Sequence, residues 1–152
     1  MFIGGRESLY TMIYYIASCA VILIITGAAK LVSSAGEGAV LLTTDPVFGI
    51  KFKAFFVISG ILELAIATIC FSRLSERIKL TALAWLATLI ATYRAGAYFA
   101  DYRQPCPCLG TLTGAIGISP FIADKMMLGC AMFILVGSYG GIWHMHVQKR
   151  SA

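Results

Sequence analysis

Four apolar stretches, separated by short polar segments, constrain this chain more than any other feature of its sequence. They cover about residues 9–32, 48–71, 78–100 and 121–143. Each is long enough for a helix, at about 1.5 Å per residue, to cross a hydrocarbon core of about 30 Å. Hydrophobic residues make up 59% of the 152 residues and charged residues 12%, which excludes an ordinary soluble domain. The sequence therefore predicts a single-domain, all-α integral membrane protein, a four-transmembrane-helix bundle.

The charged residues bear on the partner and on the orientation of this bundle. The net charge is +5, but the basic residues are scattered in ones to threes between apolar stretches, which indicates contact with membrane lipid and not with nucleic acid. An even number of spans puts both termini on the same side. Basic residues in the 72–79 hairpin and at the termini favour that side as cytoplasmic, although basic residues on the opposite side balance the count.

The first stretch is longer than the roughly 7 to 15 apolar residues of a signal peptide, so we expect it to remain as a helix. In the favoured orientation, the segment 101–119 between the third and fourth spans is extracytoplasmic. The predicted location is the inner (plasma) membrane of the cell.

That segment carries the residues with the clearest chemistry, Cys106 and Cys108, which lie one residue apart. On the oxidising face of a membrane disulfides persist. Pro107 fixes its own φ and pushes Cys106 toward extended geometry, so a disulfide between the two cysteines is expected to be strained. Because strained, exposed disulfides are more oxidising than structural ones, the pair is interpreted as suited to thiol–disulfide exchange.

Other interpretations of the cysteine pair remain open. A structural disulfide that closes so short a loop would add little stability. A Cys-x-Cys pair also suits Cu(I) or zinc, but zinc normally needs two more ligands, and His144 and His146 follow the last span at the other face. We therefore assign no metal site. Soft-metal handling, or a scaffold role in a larger membrane complex, stays as the non-catalytic alternative.

Three motifs within the spans suggest a family. Residues 27–31 read GAAKL, residues 60–64 read GILEL, and Tyr93-Arg94 lies in the third span. With four predicted helices and this length, the chain resembles the DoxX-like superfamily of membrane proteins. Residues 106–110 read CPCLG before the last span, which is similar to the Cys-x-Cys-Phe-Gly pattern of the methylamine-utilisation MauE branch. Leu109 stands where that branch usually has phenylalanine.

This resemblance implies a membrane redox accessory that supports disulfide formation or thiol–disulfide exchange in exported proteins, often beside a periplasmic thioredoxin-like partner. A partner thiolate would attack the bond between Cys106 and Cys108, which makes the chain a thiol–disulfide oxidoreductase or an accessory to one. Re-oxidation of the pair needs an electron sink. By analogy with other membrane disulfide-forming systems, a membrane quinone is the natural hypothesis.

Four charged residues are candidates for a supporting role. Glu63 lies near the middle of the second span, where an ionisable group is costly enough to be a functional candidate. Lys30 and Arg94 approach it from the predicted outer face, and their different depths make a direct pair possible but not expected. A structural polar cluster is weighed against a proton relay or a quinone site. Arg103 and Arg94 would favour a thiolate in the loop; for Arg103, contact with lipid headgroups is the alternative. The remaining cysteines, Cys19, Cys70 and Cys130, are interpreted as packing.

Overall fold

The computed structural model describes residues 4–36, 39–100, 117 and 119–150. The helices in these ranges are α1 (Gly4–Ala35), α2 (Ala39–Leu42), α3 (Phe52–Phe71), α4 (Glu76–Phe99) and α5 (Pro120–Arg150). No strand occurs in the described ranges, and an isolated bridge joins Thr44 to Lys51 before α3. The all-α prediction is therefore confirmed, and each of the four predicted spans coincides with one of the long helices.

Three of these helices are long and apolar enough to cross a membrane, over Tyr10–Ala35, Phe52–Phe71 and Phe121–Val147. They correspond to the first, second and fourth predicted spans. The third prediction matches α4 in position and length, but α4 is not among the three. Its charged side chains, Lys79 and Arg94 among them, and its threonines lower the mean hydropathy of this helix.

The long helices associate as two pairs, α1 with α3 and α4 with α5, and the two pairs contact each other sparsely. In the first pair the backbones meet at Gly27 and Gly60. A Cβ atom placed on Gly60 would lie 3.0 Å from the carbonyl oxygen of Gly27 and 3.1 Å from the Leu31 side chain. Small residues allow membrane helices to approach this closely. The glycines of the GAAKL and GILEL motifs thus face each other across one antiparallel helix crossing.

A buried core joins all four long helices. On α1 its residues precede Gly27, and on α3 they follow Gly60. Its buried members are Ile16, Cys19, Ala20 and Leu23 of α1, Ile66, Ala67 and Cys70 of α3, Leu80, Leu83, Leu86 and Ala87 of α4, and Ile134 of α5. Cys19 and Cys70 are free thiols within it. Both thiols lie among buried leucine, isoleucine and alanine side chains, in agreement with a packing role.

Helices α1 and α5 meet where the Tyr15 ring of α1 lies against the Gly137 backbone of α5. A Cβ atom placed on Gly137 would overlap the Tyr15 ring. The Tyr15 hydroxyl donates a hydrogen bond to the Ile134 carbonyl oxygen at 2.8 Å and lies 3.0 Å from the Ser138 hydroxyl. These contacts fix the ring, so it has little freedom to make room for a larger residue.

We expect Gly137→Ala to displace the Tyr15 ring and to lower the free energy of unfolding by about 1–3 kcal/mol, through overpacking and loss of its hydrogen bonds. Gly140→Ala is the matched control, because no described atom lies within 4 Å of a Cβ atom at that position. Its helix should gain roughly 0.5–1 kcal/mol from the better propensity of alanine. Thermal unfolding in detergent compares the two variants. Equal unfolding midpoints would show that the Tyr15 ring does not depend on the absence of a side chain at position 137.

Candidate functional site

The cysteine pair lies outside the described residues, as does Arg103. The structure does describe the two helices that flank this segment, since α4 ends at Phe99 and α5 begins at Pro120. The predicted exchange reaction at Cys106 and Cys108 therefore stays a prediction. The three other candidate residues, Lys30, Glu63 and Arg94, are all described.

Glu63 of α3 is buried and is paired with α1. Its carboxylate forms an ion pair with the Lys30 ammonium group. Thr26 donates a hydrogen bond from Oγ1 to Glu63 Oε2 at 2.9 Å. The Lys30 and Glu63 side chains are only 7% and 3% exposed. The direct pair between Lys30 and Glu63, which the sequence allowed without favouring it, forms because the Gly27–Gly60 crossing brings the two helices together beside them.

Arg94 has a different carboxylate partner, which the sequence analysis did not single out. Its Nη1 donates a hydrogen bond to Asp124 Oδ1 of α5 at 2.6 Å, and both side chains are mostly buried. Arg94 lies in the last two turns of α4 and Asp124 in the first two turns of α5. The ion pair thus holds together the two helix ends that the segment 100–119 connects.

A second residue missed by the sequence analysis, Asp45, is fully buried in the turn before α3. Its Oδ1 accepts hydrogen bonds from the backbone N–H groups of Val47, at 2.9 Å, and Phe48, at 2.8 Å. Its Oδ2 accepts a hydrogen bond from the Tyr93 hydroxyl at 2.5 Å. Asp45 therefore shapes the turn and attaches it to α4. An Asp-Pro pair is typical of a helix start, whereas here it forms a separate turn before the helix begins at Phe52. Nothing local in the sequence identifies Tyr93 as the partner.

Three aromatic rings stack beside this turn. The Tyr93 ring lies 5.7 Å from the Phe48 ring and 4.8 Å from the Phe55 ring, measured between centroids, and is nearly parallel to the first. The Phe48 and Phe55 rings are themselves 5.9 Å apart. We call these three residues the aromatic stack. Offset stacking of this kind contributes beyond simple burial of the rings.

A cavity of about 450 Å³ lies between the two helix pairs. Its walls are mainly apolar. They include several residues between 86 and 94 in the C-terminal half of α4 and between 127 and 134 in the N-terminal half of α5, the halves nearest the segment that joins these helices. Lys30, Glu63 and Arg94 all line it, so the structure brings together the three described candidates of the sequence analysis. The aromatic stack and Cys130 line it too.

The electrostatics of this cavity favour a neutral occupant. Both cations on its wall are paired with a carboxylate, Lys30 with Glu63 and Arg94 with Asp124. The remaining donor capacity of the ammonium and guanidinium groups can be directed to a ligand oxygen. Cavities of about 300–1,000 Å³ with apolar walls and a few polar groups are typical of small-molecule sites.

In the part of the chain that the structure describes, no group of three His, Cys, Asp or Glu side chains could hold a metal ion. Comparison of the chain with protein-family models, with curated proteins and with solved structures gave no match.

Proposed function

We propose that this chain is a multi-pass membrane redox accessory of the MauE type within the DoxX-like superfamily, and that it supports thiol–disulfide exchange in exported proteins through Cys106 and Cys108. In this proposal α4 is the fourth span, and both termini are cytoplasmic. The segment 101–119 then faces the extracytoplasmic side of the plasma membrane, where a thioredoxin-like partner reaches it.

The observation that supports this proposal is the Arg94–Asp124 ion pair, which joins the ends of α4 and α5. The segment 100–119, which carries both cysteines in its sequence, leaves α4 and enters α5 at these two ends. Arg94 also lines the cavity between the two helix pairs. In this proposal the exported partner reaches the cysteine pair from the extracytoplasmic side.

The exchange conserves atoms and electrons in two displacements. A partner thiolate attacks one sulfur of the Cys106–Cys108 disulfide, the S–S bond breaks, and a mixed disulfide forms. The second partner thiolate then attacks the mixed disulfide and releases the other cysteine. The partner becomes oxidised by two electrons and the cysteine pair becomes a dithiol.

Thiol labelling in intact cells tests this function. A membrane-impermeant maleimide should label the chain only after mild reduction, and that labelling should disappear in the Cys106→Ser, Cys108→Ser double variant. Single Cys106→Ser and Cys108→Ser variants have no disulfide for a partner thiolate to attack. In the reverse of this exchange, the remaining thiolate attacks a disulfide of an oxidised partner, and the mixed disulfide should accumulate as a reductant-sensitive adduct on gels because the second cysteine that would resolve it is missing.

Cys70→Ser is the matched control, since Cys70 is buried in the core and should not change the pattern. Free thiols at 106 and 108 without reduction, or a pair that resists every reductant, would contradict exchange. Those outcomes favour a metal-handling or scaffold subunit.

A further inference from the structure

We infer that the cavity between the helix pairs holds one acyl chain of an anionic phospholipid, and that the phosphate group of this lipid binds Lys51 at the mouth of the cavity. The site uses none of the residues between α4 and α5, so it does not rest on the proposed thiol–disulfide function. It selects one class of lipid, which the general contact of membrane helices with the bilayer does not. Three features of the structure lead to this ligand.

The first feature is the direction of the cavity relative to the bilayer. The two cations on its wall, Lys30 and Arg94, lie in the last two turns of α1 and α4. Its lining continues toward the middle of α4 as far as Leu86, which is eight positions before Arg94 and therefore about 12 Å away along the helix at about 1.5 Å per residue. Half of a hydrocarbon core is about 15 Å thick. The cavity thus spans about one leaflet with its cations toward the interface, which is how a phospholipid lies.

The second feature is the neutral interior. Each cation on the wall is already paired with a carboxylate, and the other walls are mainly apolar, so the interior suits an uncharged chain. Exposed apolar side chains, Ile58 at 61% and Leu89 at 42%, are among the lining residues. In a membrane these side chains face lipid, so an acyl chain enters from the bilayer without crossing water. The ester carbonyl oxygens at the head of the chain can then accept hydrogen bonds from the ammonium and guanidinium groups.

The third feature is the position of Lys51. It follows Ile50 directly and precedes Phe55 by four positions, about one helical turn, and both of these neighbours line the cavity. Its side chain is exposed and belongs to none of the three ion pairs found within the described residues. Lys51 immediately precedes the apolar stretch Phe52–Phe71, so it lies at the level of the lipid headgroups. Its ammonium group is therefore available to a phosphate group above the cavity.

The charge around Lys51 favours an anionic headgroup. At this end of the bundle the described carboxylates already have partners, since Asp124 pairs with an arginine and Asp45 accepts two backbone hydrogen bonds and one from a tyrosine hydroxyl. The exposed cations Lys51, Lys53 and Lys125 are thus in excess there. A phosphatidylglycerol brings a net negative charge and reduces this excess. A zwitterionic headgroup brings its own ammonium group beside the lysines and gains less.

Labelling of Cys130 tests the site, because this thiol lines the cavity and is partly accessible. The purified chain in a non-ionic detergent is treated with N-ethylmaleimide at increasing concentrations of dioleoyl phosphatidylglycerol, and labelling of Cys130 is followed by peptide mass spectrometry. At about ten times the Kd, labelling should slow about tenfold, because the unoccupied fraction falls as 1/(1 + [L]/Kd). Dioleoyl phosphatidylcholine has the same chains, and its Kd should be at least about tenfold higher. Equal protection by the two lipids, or protection by neither, would overturn the inference.

A pair of neighbouring lysines separates a headgroup site from general surface charge. Lys51→Gln should raise the Kd for phosphatidylglycerol about tenfold and leave the Kd for phosphatidylcholine unchanged. Lys53→Gln is the matched control, because Lys53 carries the same charge at nearly the same depth but lies two positions along, on another face of α3. That variant should bind phosphatidylglycerol nearly as tightly as the parent chain. If the two substitutions have equal effects, whether large or absent, Lys51 does not hold the headgroup.

Glycerol 3-phosphate separates the lipid from a free phosphate group. It carries a phosphate but no acyl chain, so it should leave the labelling of Cys130 unchanged at concentrations at which phosphatidylglycerol protects this thiol. Protection by glycerol 3-phosphate would mean that the cavity binds a small anion, and it would reject the acyl-chain site. Removal of the lipid should restore labelling, and a loss that persists after removal means modification of the thiol and also overturns the inference.

Two substitutions within α5 locate the acyl chain. Ala131 lines the cavity, and Ala131→Phe should raise the Kd for both lipids about tenfold or more by filling it. Met132 is the next residue and is 50% exposed, so Met132→Phe should leave both Kd values unchanged. If both variants bind as tightly as the parent chain, the acyl chain lies elsewhere. The protection of Cys130 needs no substitution and decides the inference even if Ala131→Phe fails to fold.

Discussion

Replacing Glu63 with alanine is expected to lower the free energy of unfolding by about 3–5 kcal/mol, the usual effect of removing one member of a buried ion pair. Lys30 is 6% exposed and would keep a charge with no carboxylate beside it. Thr26 would lose its acceptor in the same step. Because whole domains are stable by only about 5–15 kcal/mol, the variant should accumulate poorly and unfold at a lower temperature in detergent.

The matched control removes both charges at once. A Lys30→Met, Glu63→Leu double variant fills the same space with apolar side chains, and such replacements are often neutral or stabilising. It should unfold close to the parent chain. If it is as unstable as Glu63→Ala alone, the loss comes from the shape of the helix crossing and not from an unpaired charge.

Glu63→Gln separates a structural role from a proton relay. The amide keeps the size of the side chain and still accepts a hydrogen bond from Thr26, but it does not carry protons as a carboxyl group does. A variant that folds and still oxidises Cys106 and Cys108 at the parent rate excludes the relay. A variant that folds but oxidises them slowly supports it.

Replacing Asp45 with alanine is expected to have the next largest effect, a loss of stability on the order of 3 kcal/mol. The substitution leaves the N–H groups of Val47 and Phe48 and the hydroxyl of Tyr93 without their shared acceptor, at a fully buried position. The turn before α3 should then detach from α4, and the Phe48 ring should leave the aromatic stack. Thermal unfolding measures the loss of stability. Faster proteolysis within residues 45–51 reports that the turn has detached.

Asp45→Asn is the control for this turn. The amide oxygen still accepts the two backbone hydrogen bonds, and only the charged contact with Tyr93 changes, so the loss should be about 1 kcal/mol. Tyr93→Phe should lose a similar amount because it removes the same single contact. An alanine variant as stable as these two would show that the turn does not depend on Asp45.

The four long helices were predictable from the sequence because membrane thickness fixes how many consecutive apolar residues a helix needs to cross it, and three of them are long and apolar enough to do so. The start of the second span was predicted less well, at 48 where α3 begins at Phe52. The side chain of Asp45 caps a separate turn there, and Gly49 has a φ of 67°, in the left-handed region that favours glycine. The apolar pattern alone does not distinguish such a turn from the first turn of a helix.

The candidate site was predictable in its members but not in its pairing. Glu63, Lys30 and Arg94 stand out because charges are rare within apolar stretches. The choice of carboxylate partner for each cation depends on how the helices are rotated and on how closely they approach at the Gly27–Gly60 crossing. The spacing of residues in the sequence reveals neither. Asp124 was therefore not predicted as a site residue. The cavity was not predicted either, because the cavity forms only where the two helix pairs do not pack closely.

The buried pairing of Lys30 with Glu63 has a consequence for how the chain is made. Synthesis delivers α1 first, with a lysine inside the stretch Tyr10–Ala35. A lone lysine is unfavourable by about 2.5–3.5 kcal/mol at the centre of a span, and by less near its end, where Lys30 lies. The neutralising glutamate emerges from the ribosome only with α3. We therefore expect the first helix to gain its full preference for lipid only once α3 has been made, and α1 and α3 to enter the bilayer together.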